Sequence, residues 1–374
     1  MKTIFYIVDV RNLIVENQPT LERHMKYADI LQLRTMNEVS LGVIRFKQQK
    51  SVTLKLQENL QILSIPSNPL FMIRSLRSYK FEKNKDETVK VLIAGDPWES
   101  TLCAHVLKLV HFKTAKIQVQ IHGDIGNESW IRLTSKNFIR GFIARFSLRL
   151  ANQFRTVGVT QTNLLISKYR IPKARCRIIP VSSMYSSNPI TSNNVNPASL
   201  AIGFVGRLQS DRGIDKFLEL VAKLRQKNLL FSVIVAGDGP ESESFEIELE
   251  KILPRENIKF LGNLKPTEMV EAWSQIGILV STAPTESFGR AIREAIAWGI
   301  PVWAIPSSGV SDLQIEVSQL YVKNLDIDLP AERQVEICRE LLSAEIPLEV
   351  RKRIIEADRY ALDSLIESWI ELSK

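Results

Sequence analysis

An α/β fold in two domains, each built on a mostly parallel sheet, is predicted by three observations. Short apolar runs of strand length alternate with longer amphipathic runs of helix length, the pattern of strands joined by helical crossovers. The alternation is interrupted once, at "SSMYSSNPITSNNVNPAS" (182–199), whose Ser, Asn, Pro and Thr content cannot build a core element, and then it restarts. The 374 residues, 45% hydrophobic and 24% charged, suffice for two cores of ordinary size and exclude a disordered or fibrous chain.

In the first half, strands are predicted at "TIFYIVDV" (3–10), "VKVLIAG" (89–95), "IQVQI" (117–121), "RTVGVT" (155–160) and "CRIIPV" (176–181). The second half reads as a regular βα series. Strand "LAIGFVG" leads to helix "IDKFLELVAKLRQ", strand "FSVIVAG" to helix "ESFEIELEKIL", and strand "IKFLG" to helix "PTEMVEAWSQI". Strand "GILVST" then leads to helix "GRAIREAIAWG" and strand "PVWAI". Such a series is expected to be doubly wound, with ligands beyond the carboxyl ends of the strands. The expected division is a first domain over 1–185, a linker over 186–199, a second domain over 200–347 and a helical segment over 348–374. That last segment carries an apolar stripe of Ile355, Leu362, Ile366, Trp369 and Ile370, and it either caps the second domain or crosses back to the first.

Charge separates the halves. Residues 1–185 hold 29 Lys and Arg against 13 Asp and Glu, whereas 186–374 hold 20 against 28. From Ser129 to Ser210 there is no acidic residue at all, so a polyanionic partner is expected on that side: anionic lipid headgroups, a diphosphate-bearing substrate or nucleic acid. No zinc-ligand spacing, helix-turn-helix or aromatic RNA-binding motif accompanies the charge, which argues against nucleic acid. The apolar runs are too short, or too broken by Gly and Pro, to span a bilayer, and Asp9 interrupts the N-terminal run before any cleavage-site pattern. Cys103, Cys176 and Cys338 are odd in number and lack metal-ligand spacing, so they read as small apolar residues in a reducing, cytoplasmic setting.

Candidate chemistry sits at strand ends of the second half. In "GFVGRLQSDRG", Gly206 ends a strand and Arg207 and Arg212 flank a polar turn, where guanidinium forks can embrace a diphosphate. In "VIVAGDGPE", Gly237 and Gly239 permit a tight turn with close backbone approach. In "PTESFGRAIREAIAWGIPV", a helix is predicted from Ser287 to Trp298. Glu286 stands just ahead of it, the amides of Phe288 and Gly289 point at an anion or a sugar oxygen, and Glu294 lies two turns along. Taken singly, each also fits an ordinary role: surface arginines, a βα turn, a first-turn acid facing the helix dipole, a solvated helix residue.

The set changes that balance. "GRL" with an Arg five positions on, "GDGP", "IKFLGNL" and "ESFGRAIREAIAWGIPV", in this order and spacing, resemble the retaining, nucleotide-sugar-dependent glycosyltransferases of family four, across Leu200 to Leu313. The resemblance implies the GT-B fold of two facing Rossmann-like domains. It implies that Arg207 and Arg212 hold the donor diphosphate, that Glu286 contacts donor sugar hydroxyls, that Glu294 contacts the donor ribose, and that the loop from Gly262 to Leu264 lies near the base. The family usually has Lys where Arg212 stands. "HGD" resembles the acceptor-side motif of the family and would bring His122 near the donor sugar, while Asp96 ends a neighbouring strand on that side. The chain has no Gly-rich loop after its first strand, and Arg23 and Tyr27 fit a subset of the family with an Arg/Tyr-containing first helix.

By the same resemblance the reaction retains configuration at the anomeric carbon without a protein nucleophile, the leaving phosphate oxygen taking the acceptor proton, and requires no metal or other cofactor. The acids Asp326 and Asp328 lie beyond the βα core and are not expected to bind a metal. The acceptor is expected to be a glycan or a lipid-linked molecule in polysaccharide or glycolipid assembly. A sugar-nucleotide binding protein and an epimerase on the same fold remain as alternatives. Finally, "SKNFIRGFIARFSLRLANQF" (135–154) reads as one basic helix with Phe138, Phe142 and Phe146 at i, i+4 and i+8. Such a stripe is expected to face a core, although a basic amphipathic helix can also lie in an anionic membrane interface and make the chain a peripheral membrane protein.

Overall fold

In the computed structural model, which describes residues 2–10, 18–47, 52–67, 71–81, 87–123, 125, 128–182, 201–229 and 231–374, the run "TIFYIVDV" forms the central strand β1 (Lys2–Asp9). Its alternate residues enter two cores: Ile4, Tyr6 and Val8 join one, Phe5 and Ile7 the other. A strand buried on both faces belongs in the middle of a parallel sheet covered by helices. The neighbours are β2 (Val39–Lys47), β3 (Val52–Gln57), β4 (Leu60–Pro66), β5 (Glu87–Ala94), β6 (Lys116–Gln120), β7 (Gln153–Thr156) and β8 (Cys176–Ile178), in the order β3-β4-β2-β1-β5-β6-β7-β8. Every described pairing is parallel except β3 with β4. The order turns at β1, so the loops after β1 and β5 flank a switch point. Most of the segment after β1, predicted to lack a Gly-rich loop, lies outside the described residues.

Helices α1 (Gln18–Arg34), α2 (Met72–Ser78), α3 (Glu99–Val110), α4 (Glu128–Leu133), α5 (Ser135–Ser147) and α6 (Val159–Tyr169) complete this part. Three differences from the sequence reading have local causes. Strands β2 to β4 were not expected: polar residues interrupt their apolar runs, yet Arg45 of β2 is buried and donates to Ser64 Oγ of β4 at 2.8 Å. The strand expected over 155–160 stops at Thr156, because Gln161 Oε1 accepts the Val157 N–H at 2.9 Å and Thr162 donates to the Gly158 carbonyl, starting α6. The helix expected over 135–154 ends at Ser147, where a 3-10 turn (Leu148–Leu150) leads into β7, and Phe138, Phe142 and Phe146 are exposed instead of facing a core.

The second sheet contains β9 (Ala201–Val205), β10 (Ser232–Ala236), β11 (Ile258–Gly262), β12 (Ile278–Ser281), β13 (Val302–Ala304) and β14 (Val322–Asn324), in the order β11-β10-β9-β12-β13-β14 and parallel throughout. This is the doubly wound order, with its switch point between β9 and β12. The crossovers are α7 (Ile214–Gln226), α8 (Ser242–Ile252), α9 (Met269–Gln275), α10 (Arg290–Ala297), α11 (Ser308–Val317) and α12 (Ala331–Leu342). Helix α7 buries Phe217, Leu220, Val221 and Leu224 at the spacing its sequence predicts.

The chain divides into two compact units, 1–179 with 360–374, and 180–359. The linker expected over 186–199 lies outside the described residues. Helix α13 (Leu348–Ser373) is shared: Val350, Ile354 and Ile355 pack in the second unit, whereas Leu365, Ile366 and Trp369 pack in the first. Its tail crosses back, as one of the two expectations had it. There Trp369 Nε1 donates to Gln118 Oε1 at 2.7 Å, and Gln118 Nε2 donates to Ser368 Oγ at 3.0 Å.

Two histidines of the first unit are held neutral by burial. His105 Nε2 donates to the Ser147 carbonyl at 2.7 Å and His24 Nδ1 to that of Thr20 at 2.7 Å, and burial lowers both pKa values from the ordinary 6.5. The unfolded chain therefore binds more protons than the folded one between the lowered values and about 6.5, so stability rises with pH across that window and is lost on acidification. Urea midpoints are expected to fall from pH 7.5 to pH 5.5, and His105→Gln, which keeps a donor, should flatten part of that slope.

Candidate active site

At the rim of the second sheet, main chain bonds directly to main chain. Beyond β9 and β10 the hydrogen-bond ladder continues: the Gly206 N–H donates to Ala236 O at 3.0 Å, Leu208 N–H to Asp238 O at 3.0 Å, and Gly237 N–H to Gly262 O at 2.7 Å. The glycines are required by this contact. A Cβ on Gly237 would lie 1.8 Å from the Gly206 carbonyl oxygen, and one on Gly239 would lie 2.2 Å from that of Leu208. Asp238 accepts from Gly239 N–H and Ser242 Oγ, both at 2.7 Å, so it organises the start of α8 while staying exposed, and these bonds hold its carboxyl below the usual range.

The same β9 loop is fastened to the β12 loop across the switch point. Gly213, with φ +66°, brings its Cα so close that a Cβ would lie 2.2 Å from Thr282 O, and Thr282 Oγ1 donates to Arg212 O at 3.1 Å. Arg212 is thereby placed beside Glu286, Nη1 to Oε2 at 2.9 Å. The other oxygen of Glu286 accepts the Gly289 N–H at 3.2 Å. The sequence reading left that amide for a ligand; here it is taken by the glutamate three residues back, and Gly289, at φ +76°, then turns the chain into α10. Helix α10 consequently starts at Arg290, not Ser287, and Glu294 stands little more than one turn along it.

Around the bridge lies a small recess of about 30 Å³, lined by Gly206, Arg212, Ser281, Glu286, Gly289 and others. Glu294 has only 16% of its side chain exposed and meets Arg290 Nη2 at 3.4 Å, so it is less solvated than an ordinary helix-surface acid. Arg207 is exposed and touches Gln209 Oε1 at 3.4 Å. Gly262 ends β11 at φ +65° with no heavy atom within 4 Å of a built Cβ. Phe288 is buried.

Two supports of this loop were not singled out from the sequence. Arg293 is buried: it stacks on the Phe288 ring at 4.3 Å, donates to Phe288 O at 3.1 Å and holds Glu316 through both terminal nitrogens at 2.6 and 2.8 Å. Gly309 donates to Glu286 O at 2.7 Å, and a Cβ there would strike the main chain of Phe288 at 2.8 Å. The "REA" and "SSG" triplets contain these residues, but nothing in a lone arginine or glycine reveals its tertiary contact.

In the first unit, Asp96 and His122 follow the ends of the neighbouring parallel strands β5 and β6, hence the same sheet edge. Asp96 is buried and accepts from Trp98 N–H and Ser100 N–H at 3.0 Å and from Ser100 Oγ, which caps α3. Burial pushes its carboxyl pKa up, against the opposing pull of those bonds. His122 is exposed, and Asp124 of the "HGD" triplet lies outside the described residues. Arg23 sits half-buried on α1, one turn from Tyr27, whose ring meets Trp369 edge-on at 5.6 Å. The turn after β14 is closed by Asp326 accepting the Asp328 N–H at 3.1 Å.

Chemically, the second rim offers the Arg212 guanidinium and the start of α10 beside the recess, with Arg207 exposed on the same β9 loop, groups of the kind that bind a diphosphate. The Arg212–Glu286 bridge is half-exposed and therefore worth no more than about 1 kcal/mol, so a ligand anion can exchange with it at small cost.

Residues 190–359 match the family described as glycosyl transferases group 1. The second unit is similar to a group 1 glycosyltransferase domain over nearly its whole length. Over 172 residues the chain is 23% identical to the phosphatidylinositol N-acetylglucosaminyltransferase gpi3 subunit of Schizosaccharomyces pombe, covering 46% of this chain and 38% of that protein. Over 116 residues it is 34% identical to a GDP-mannose-dependent alpha-mannosyltransferase of Corynebacterium glutamicum, covering 31% and 25%. The matched part thus spans well under half of these relatives' own lengths. Among solved structures, sucrose-phosphate synthase from Thermosynechococcus elongatus superposes with a TM-score of 0.67 at 14% identity over 100% of this chain and 96% of that one. The lipopolysaccharide outer core galactosyltransferase WaaB superposes with a TM-score of 0.69 at 12% identity over 99% and 98%. At such identities the likeness is one of fold, and the fold is GT-B, two Rossmann-like domains.

Two glycines of the second unit separate steric exclusion from backbone strain. Gly237→Ala is expected to lower unfolding free energy by on the order of 3 kcal/mol or more, since main chain cannot yield as a side chain can. Gly262→Ala, in open space, should cost only about 1 kcal/mol for its left-handed backbone. Urea unfolding of both variants checks the difference.

Proposed function

We propose that the chain is a retaining glycosyltransferase that moves a sugar from a nucleoside diphosphate sugar to a glycan or lipid-linked acceptor in polysaccharide or glycolipid assembly. The observation that carries this reading is Arg212, fixed across the switch point beside Glu286 and the α10 N-terminus, in a domain of the group 1 family. In this reading the donor side is 200–347 and the acceptor side 1–185. The names of relatives that act on phosphatidylinositol and on the lipopolysaccharide outer core favour a lipid-linked or glycan acceptor.

The assigned roles follow from charge and position. Arg207 and Arg212 take the diphosphate, with Gly206 allowing the main chain to approach it. Glu286, released from Arg212, accepts from the sugar hydroxyls. Glu294 accepts from the ribose, and the turn at Gly262 faces the base. The amides of Phe288 and Gly289, once Glu286 turns away, add to the field around the leaving group. When the bond from the anomeric carbon to the phosphate oxygen breaks, negative charge grows on the diphosphate, and preorganised cations and N–H groups stabilise it. The leaving oxygen takes the proton of the acceptor hydroxyl as the new bond forms on the same face, which retains configuration without a protein nucleophile. The charge balance calls for no metal or other cofactor. His122 is assigned to the donor sugar, and Asp96 and Arg23 to the acceptor side, Asp96 by shaping the loop ahead of α3. A cytoplasmic setting, with peripheral contact between the basic first half and an anionic membrane, suits such an acceptor; no helix among the described residues is long and apolar enough to cross one.

Calorimetric titration with UDP, GDP, ADP and their common sugar conjugates tests the donor site. One diphosphate should bind selectively, and Arg207→Ala and Glu294→Ala should each weaken it by roughly tenfold or more, the worth of a charge-assisted hydrogen bond. Arg207 is exposed, so its loss leaves the fold intact. No binding by any nucleotide, or unchanged affinity in both variants, would overturn the assignment. His122→Ala should lower transfer by more than it lowers nucleotide affinity. Nucleotide release only when an acceptor is present separates transfer from binding alone and from epimerisation.

A further inference from the structure

Helix α5 carries its largest apolar residues on the wrong side for a globular core. Phe138, Ile139, Phe142 and Phe146 are 66, 58, 61 and 58% exposed, and Leu150 in the following 3-10 turn is 69% exposed. The opposite side, with Ala144, Ser147 and Leu148, is buried, and Ile143 packs against the core. The spacing of 138, 142 and 146, with 139 beside them, makes one continuous stripe, and Phe142 and Phe146 pack edge to face at 5.2 Å. A contiguous exposed apolar patch of this kind marks a surface that something covers.

Its charged surroundings indicate what. Lys136, Arg145 and Arg149 are exposed along the same segment, and no acid occurs from Ser129 to Ser210. Glu99 of α3 is engaged by Arg140 at 3.1 Å, and Glu128 of α4 lies 3.9 Å from Arg132. A second copy of the chain, docked on the same face by a two-fold axis, would set this basic rim against itself. Anionic headgroups over an acyl interior complement both features at once, the stripe entering the acyl boundary and the cations meeting the phosphates.

We infer that the outward face of α5, with Phe138, Ile139, Phe142, Phe146 and Leu150 flanked by Lys136, Arg145 and Arg149, docks the protein on an anionic lipid leaflet. This deepens the membrane contact proposed above by naming the surface that makes it. Because these side chains are already exposed, removing them leaves the core untouched.

The test is co-sedimentation of the full chain with vesicles of phosphatidylcholine alone and with about a third phosphatidylglycerol. Binding is expected to the anionic vesicles, to weaken with added salt, and to fall at least about tenfold in F142E/F146E, since each charge must enter the acyl boundary. Nucleotide binding, measured without vesicles, should be unchanged in that variant, so failure of docking and failure of the donor-site reading show separately. Absence of wild-type binding to anionic vesicles, or equal binding by the variant, overturns the inference. So does a dimer seen by light scattering that F142E/F146E abolishes while vesicle binding stays absent, which would make a second copy the occupant.

Discussion

The second domain depends on one contact, main chain lying directly on main chain beyond the ends of β9 and β10. With no side chain between Gly206 and Gly237, or between Leu208 and Gly239, the two loops share hydrogen bonds as if the strands had not ended. Everything functional on this rim is referred to that seam. It sets where the turn carrying Arg207 and Arg212 begins, and Gly213 then presses the turn on Thr282. Position is therefore specified by steric exclusion and by backbone bonds, which leave few soft degrees of freedom, and the charged side chains are added to a frame already rigid.

That frame was largely legible in the sequence because its determinants are local. The bounds of α7 and β11 coincide with the runs that predict them, and the glycines of "GDGP" mark a turn that permits the close backbone approach found there. Legibility failed where the determinant is a partner far along the chain. A buried Arg45 conceals β2 until Ser64 of β4 is seen beside it. Arg293 reads as a helix-surface residue until Phe288 and Glu316 close around it. That Glu286 takes the Gly289 amide depends on how the loop before α10 folds back on itself, which no periodicity encodes. The Phe stripe of α5 shows the limit most plainly: spacing specifies that a face exists, and only the tertiary arrangement specifies whether it looks inward.

The two sheets solve the same topological problem with different materials. In the second, glycines let backbones meet at the rim. In the first, buried polar side chains run across neighbouring strands: Gln118, Gln120 and Gln153 bond in series, and Arg155 joins Gln120 Oε1 and Ile179 O, both at 3.0 Å. Burial lowers the Arg155 guanidinium to about 10, yet it stays charged at neutral pH. Such a network fixes strand register, because each amide has one geometry that satisfies donor and acceptor together.

Helix α13 adds a constraint in time. The face of the first sheet formed by Phe5, Leu41 and Ile62 is covered partly by α1, through Ala28 and Leu31, and partly by Leu365, Ile366 and Trp369, more than 180 residues further along the chain than Ile179. During synthesis α1 follows β1 at once, whereas the rest of the cover waits until residues 360–374 emerge. The first domain is thus completed after the second has been made, and a translating chain halted before that point would carry a half-covered apolar sheet face, the kind of intermediate that chaperones recognise.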